Sequence, residues 1–218
     1  MKLIIANKNY STWSLRGWLV LRAFDVDFDE VEMPLFIPEF YDEIAKYSGA
    51  AKVPVLVDSD VAVWDSLAIC EYVNDAYLAG KGWPDNVVDR AKARAISAEM
   101  HSGFTALRNE MPMNIRARRK VSPSQDCLND IARIDEMWAN QMKEFGAKGG
   151  WLFGDYSIAD VMYAPLVLRF ITYGVTLSAE AQRYAGHALK SAALQQWVEE
   201  SKKDTSIVSE DEAGVEVA

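Results

Sequence analysis

The sequence predicts an α/β N-terminal domain followed by an all-α C-terminal domain. Three observations predict it. Residues 1–79 alternate short apolar runs with helical patterns in the order β-α-β-α-β-β-α. A break, Gly80-Lys81-Gly82-Trp83-Pro84, then interrupts every pattern. Everything beyond it reads as helix. The expected division is 1–79, a linker at 80–87, a helical domain at 88–203 and a frayed acidic tail at 204–218.

Leu3 to Ala6 is a short apolar run that predicts a buried strand, closed by the polar turn Asn7 to Thr12. Ser14 to Phe24 places Leu15, Trp18, Leu19, Leu21 and Arg22 at helical spacing, with Ser11, Thr12 or Ser14 as the cap. Phe28 to Met33 alternates apolar and acidic residues, as a strand does. Pro38 to Lys46 predicts a short helix, since Pro suits a helix start. The β-branched runs Val53–Asp58 and Val61–Asp65 are separated by Ser59 and Asp60 alone, which predicts a tight hairpin. Ser66 then starts a helix over Leu67 to Leu78. Past the break, Val88–Met111 and Asp126–Phe145 are long helices joined by a basic turn, Arg116 to Lys120. Ser157–Phe170, Ser178–Tyr184 and Ala188–Ser201 complete the helical set.

Composition bounds the function. The chain has 218 residues, half of them hydrophobic, which excludes an intrinsically disordered protein. Its net charge of −9 argues against general binding to nucleic acid, which needs clustered Lys and Arg. The charge is uneven: residues 1–80 carry 6 basic and 13 acidic side chains, and residues 81–201 carry 15 and 14. Cys70 and Cys127 form no CxxC pair, so neither a zinc ribbon nor a dithiol motif is expected, and both read as structural. No apolar stretch reaches the roughly 18 residues of a membrane span. The expectation is a soluble cytoplasmic protein with no membrane partner and no metal.

Four features carry the chemistry. The turn Asn9 to Ser14 puts hydroxyls beside the positive end of a helix dipole, which favours an anion, a thiolate included. Val53-Pro54 opens a strand, where a cis bond would present backbone to a ligand instead of to the sheet. Asp65-Ser66 starts a helix; a hydroxyl with free N–H groups suits a carboxylate, and the acid beside it suits an ammonium. Ser157-Ile158-Ala159-Asp160 is a capping box with Asp in the fourth place.

In this order the four features resemble the glutathione S-transferase family, closest to its serine-type bacterial and zeta-like cytosolic members. The resemblance spans roughly residues 1–200 and rests on YSTWSLR, KVPVLVD, WDSLAICEY and GDYSIAD. It implies a thioredoxin-like N-terminal domain, an all-helical C-terminal domain, a homodimer, and glutathione as cosubstrate with a small hydrophobic electrophile. Under it Ser11 matches the serine that hydrogen-bonds the glutathione sulfur, with Ser14 the runner-up. Val53, ahead of a cis Pro54, would exchange backbone hydrogen bonds with the cysteinyl unit. Asp65 and Ser66 would grip the γ-glutamyl end, where most members carry Glu-Ser. Lys52 would pair with the glycyl carboxylate. Trp13 stands where the zeta motif has Cys, so no thiol of the protein's own is offered there. Trp13, Met100, Phe104, Arg108 and Met111 are candidates for the electrophile wall, the last four at spacings of four, four and three on one helix face. His101 reads as a surface or interface histidine, and the basic turn as a solvated face. The implied activity is glutathione transfer; a maleylacetoacetate-isomerase-like activity and a non-catalytic binding module on the same fold are the alternatives.

Overall fold

The computed structural model describes residues 1–35 and 38–217. Phe36, Ile37 and Ala218, the last residue of the expected tail, lie outside the described residues. Strand β1 (Lys2–Ala6) is interior to a four-stranded sheet of order β2-β1-β3-β4. That position explains its unbroken apolar run, since both of its faces are covered. Strand β2 (Asp29–Met33) pairs with β1 in parallel and forms an edge, where its acidic alternation reaches water. Strands β3 (Val55–Asp58) and β4 (Val61–Trp64) make the expected hairpin, with Asp58 opposite Val61 and Val55 opposite Trp64.

Helix α1 (Thr12–Arg22) forms the crossover from β1 to β2, and α2 (Pro38–Ile44) leads on to β3. Helix α3 (Ser66–Ala76) packs beside α1, burying Ile69, Cys70 and Val73 against the cluster that holds Leu15 and Leu19. Gly17 lets α1 press on the chain ahead of β3: a Cβ there would stand 3.0 Å from Pro54 Cγ.

The helical part comprises α4 (Val87–Ser102), α5 (Thr105–Glu110), α6 (Gln125–Phe145), α7 (Ile158–Thr172), α8 (Ala179–Ala188) and α9 (Ala192–Ser201). Helix α7 is apolar on every side and buried nearly throughout, which makes it the axis of this part. It packs on α1, α4 and α8, and one hydrophobic cluster runs from Leu3 and Leu15 through Leu166 to Trp197. Arg16 Nε donates to the Met162 carbonyl at 3.0 Å, joining α1 directly to α7. No helix among the described residues is long and apolar enough to cross a membrane.

The capping box forms at the start of α7. Asp160 accepts the Ser157 N–H at 2.9 Å, the Ser157 hydroxyl at 3.0 Å and the Leu152 N–H at 3.1 Å. The carboxylate thereby fixes the turn before the helix as well as the helix end.

Three expectations are corrected. Val88–Met111 is two helices, because Gly103 is extended and Phe104 takes a left-handed conformation (φ 58°). The Phe104 ring is then buried, and Asp130 Oδ2 accepts the Leu107 N–H at 3.1 Å where α5 has no local cap. The boundary near residue 188 also moves: α8 runs on to Ala188, and α9 begins after Ser191. The acidic tail is docked, not frayed. Strand β6 (Val215–Glu216) pairs with β5 (Arg119–Lys120), so the tail partly covers Arg116 and Arg119 of the basic turn, while Arg118 and Lys120 stay exposed.

Asp160→Ala should lower unfolding free energy by about 2–4 kcal/mol in urea, combining a lost cap with buried donors left unpaired. A loss below about 1 kcal/mol would show that the box does not hold α7 in place. Burial pushes the Asp160 carboxyl up from 3.8 to about 6. Its contribution to stability is therefore fully present below about pH 4 and lost as pH rises through about 6. Asp160→Asn, which does not titrate, should flatten that part of the profile of stability against pH.

Candidate functional site

The sheet edge, α1 and α4 enclose a cavity of about 620 Å³. Its wall is Trp13, Ala50, Lys52, Val53, Pro54, Trp64, Asp65, Ser66 and His101. Local backbone chemistry brings these together. The Val53–Pro54 peptide bond is cis, and the pair precedes β3. Pro54 therefore needs no ladder hydrogen bond, and the turn that carries it faces the cavity.

Asp65 is the N-cap of α3 in a left-handed conformation (φ 76°). One oxygen, Oδ1, accepts the N–H groups of Leu67 at 2.9 Å and Ala68 at 3.2 Å. The other, Oδ2, lies 3.0 Å from His101 Nε2. Ser66, the first residue of the helix, is 1% exposed, and its Oγ has no hydrogen-bond partner. A buried hydroxyl without a partner is costly, and this one lies on the cavity wall beside a helix N-terminus. Lys52 stands exposed at the same wall.

Trp13 is held from several sides. The guanidinium carbons of Arg16 and Arg108 stand 4.6 Å and 5.2 Å from its ring centre, and the His101 ring meets it edge-on at 5.3 Å. Arg16 is wholly buried, and its Nη1 lacks a partner. Burial, with Arg108 and Arg169 near, lowers its pKa to about 9. Burial also pushes the Cys70 thiol up, and the Cys127 thiol up to about 11. Neither cysteine lines the cavity, so a nucleophilic sulfur there must come with a ligand.

The sequence-predicted residues divide. Lys52, Val53, Pro54, Asp65, Ser66 and Trp13 come together around the cavity. Ser11 and Ser14 do not line it. Ser11 caps α1: its Oγ accepts the Ser14 N–H at 3.3 Å and its hydroxyl pairs with Ser14 Oγ at 2.8 Å. Ser14 is fully buried, and its Oγ also accepts the Ala6 N–H at 3.0 Å, tying β1 to α1. Ser14 is thus committed to the fold, whereas among the described residues the Ser11 side chain bonds only to Ser14 and is 7% exposed.

Met100, Phe104, Arg108 and Met111 are not on the wall. Their spacing presumed one helix, and the reversal at Gly103–Phe104 removes that face. Met100, Phe104 and Met111 belong to the core. Arg108 donates to the Met100 and His101 carbonyls at 2.6 and 2.9 Å, closing the end of α4. Sequence reasoning missed Ala50, Trp64 and His101 as wall residues. His101 is one of two histidines and sits one residue from Met100, which drew attention to the right turn of helix but the wrong side of it. Trp64 is half exposed, and its place directly before the Asp65–Ser66 pair is the sequence signal that could have found it.

Residues 10–76 match the family model described as glutathione S-transferase, N-terminal domain. A probable maleylacetoacetate isomerase of Caenorhabditis elegans is 26% identical over 168 residues, 77% of each chain. Among solved structures, a glutathione transferase homologue from Burkholderia with bound glutathione superposes with TM-score 0.71 at 21% identity, covering 93% of this chain and 98% of that one. The holo structure of a bacterial maleyl pyruvate isomerase of the zeta class gives TM-score 0.72 at 18% identity, covering 94% and 100%. The solved structures speak for the fold; the matched segment, which holds nearly every wall residue, speaks for the lineage. Residues 10–76 thus match the glutathione S-transferase N-terminal domain, and the whole chain, with a thioredoxin-like sheet, a helical second part and this cavity between them, has the fold of glutathione transferases.

Proposed function

We propose that this protein is a glutathione transferase that activates the glutathione thiol for attack on a small hydrophobic electrophile. The observation that carries the reading is the unpartnered, buried Ser66 hydroxyl at the N-terminus of α3, on the wall of a cavity that also holds the cis Val53–Pro54 turn. A γ-glutamyl carboxylate would give that hydroxyl the acceptor it lacks and would meet the positive end of the helix. Asp65 would take the ammonium, sharing Oδ2 between it and His101. Val53 would offer its backbone to the cysteinyl unit and Lys52 its ammonium to the glycyl carboxylate.

Glutathione supplies the sulfur: it bonds to an electrophilic carbon, whose leaving group departs with its electron pair. A free thiol of pKa about 8.5 is only a few per cent thiolate at neutral pH. Ser11 would turn its hydroxyl from Ser14 toward the sulfur and, with the N-terminus of α1, favour the charged form. Each unit by which the thiol pKa falls corresponds to about 1.4 kcal/mol of selective thiolate stabilisation. Trp13, Trp64 and His101 would form the wall that meets the electrophile. A homodimer, a cytoplasmic location and a role in detoxification accompany this reading as family habits. The isomerase reading is kept as second, because the Caenorhabditis elegans relative is described as one.

Ser11→Ala should lower conjugation of an aryl halide by about 10–100-fold while the protein still binds a glutathione matrix. Wild-type turnover in that variant would remove Ser11 from the mechanism. Ser66→Ala should raise the KM for glutathione about tenfold with kcat little changed, because the hydroxyl binds ground state and transition state alike. Maleylacetoacetate turnover without aryl-halide conjugation would favour the isomerase, and failure to bind the matrix would favour a binding module.

A further inference from the structure

The loop Asn7–Ser11 joins β1 to α1 and is buried along its length. Distant parts of the chain hold it from behind. The Ile115 N–H donates to the Asn9 carbonyl at 3.3 Å, and the Arg116 N–H to Asn9 Oδ1 at 2.9 Å. Asn9 Nδ2 donates to Asn114 Oδ1 at 2.9 Å. The next residue, Tyr10, donates its hydroxyl to Glu212 Oε1 at 2.6 Å. Asn114 Nδ2 donates to the same oxygen at 2.9 Å. Tyr10, Glu212, Asn114 and Asn9 thus close a ring that is completed by the Asn9–Tyr10 peptide bond.

Glu212 is itself anchored. Its Oε2 pairs with Arg119 Nη1 at 2.6 Å, and Arg119 also donates to the carbonyls of Glu212, Ala213 and Gly214. The β5–β6 ladder continues the attachment. Simple covering of the loop would need only apolar contact. Instead a carboxylate is shared between a phenol and an amide, which fixes direction as well as distance. The residue it fixes immediately precedes Ser11.

We propose that Glu212 is a positioning residue for thiol activation: through Tyr10 it holds the Asn7–Ser11 loop, and so the Ser11 hydroxyl and the N-terminus of α1, in the arrangement that favours the glutathione thiolate. This rests on the proposed role of Ser11. Hydrogen-bond donors stabilise a charge well only when they are already in place, and misplacement by about 1 Å can cost up to about 100-fold in rate.

The test compares wild type with Glu212→Ala, Glu212→Gln and Tyr10→Phe. Four quantities are read: the ultraviolet thiolate absorbance of bound glutathione against pH, KM, kcat, and amide hydrogen exchange across residues 7–14. Glu212→Ala and Tyr10→Phe should raise the thiol pKa by about one unit and lower kcat about tenfold at neutral pH, with KM within about twofold. Exchange across the loop should quicken in both. Glu212→Gln keeps a carbonyl to accept the same two hydrogen bonds but sets an amide N–H against Arg119 in place of Oε2, so it should restore part of the thiol pKa. Faster exchange with an unchanged thiol pKa would overturn the proposal, leaving Glu212 a merely structural contact. So would a loss carried by KM alone. If Glu212→Ala does not fold, Tyr10→Phe decides, since it removes one oxygen and keeps the ring. If Ser11→Ala leaves the thiol pKa unchanged, the role of Ser11 fails, and this inference with it.

Discussion

The cavity depends on how one carboxylate is divided. Asp65 gives one oxygen to the first turn of α3 and the other to His101 at the end of α4. The first contact ends β4 and starts the helix; the second draws the helical part against the sheet. Without the cap, Ser66 would lose its register with the cavity. Without the His101 contact, the imidazole would lose the acceptor that orients it beside Trp13, while α4 itself stays packed on α7. The same side chain therefore sets the floor of the site and one of its sides.

Behind that wall lie two buried arginines, Arg16 and Arg169, and the partly buried Arg108, with Asp211 near Arg169 and Asp130 near Arg108. Arg16, Arg108 and Arg169 spend their donors chiefly on backbone carbonyls: Met162 for Arg16, Met100 and His101 for Arg108, Arg108 and Met111 for Arg169. Two of them also lie over the face of Trp13. Net charge therefore says little about the site, whose wall carries both Lys52 and Asp65 within a front half that is acidic overall.

Most of the fold was legible because it follows local rules. The interior strand β1, the Ser59–Asp60 hairpin and the capped α7 each follow from a short stretch of sequence, while the cis bond at Pro54 was expected only through the family resemblance. On the sheet side of the cavity Lys52, Val53, Pro54, Asp65 and Ser66 were legible through the family resemblance, whereas Ala50 and Trp64 beside them were not. The α4 side was not legible at all. Spacing alone made one helix of Val88–Met111, and the left-handed Phe104 that splits it depends on a core supplied by other helices. His101 and Trp64 take their roles from contacts across the fold, with Asp65 in one case and open solvent in the other. Glu212 was illegible for a related reason: an acidic tail looks disordered until the arginine turn that receives it is placed beside it.

The bond from Tyr10 to Glu212 spans 202 positions of a 218-residue chain. During synthesis the loop ahead of Ser11 is made 202 positions before the carboxylate that anchors it. The sheet and α1 can assemble early from near neighbours, while the loop waits for a partner on the far side of the helical part. A nascent or prematurely terminated chain would thus carry the cavity wall without the fastening behind Ser11. Completion of the loop becomes a record that translation has reached residue 212.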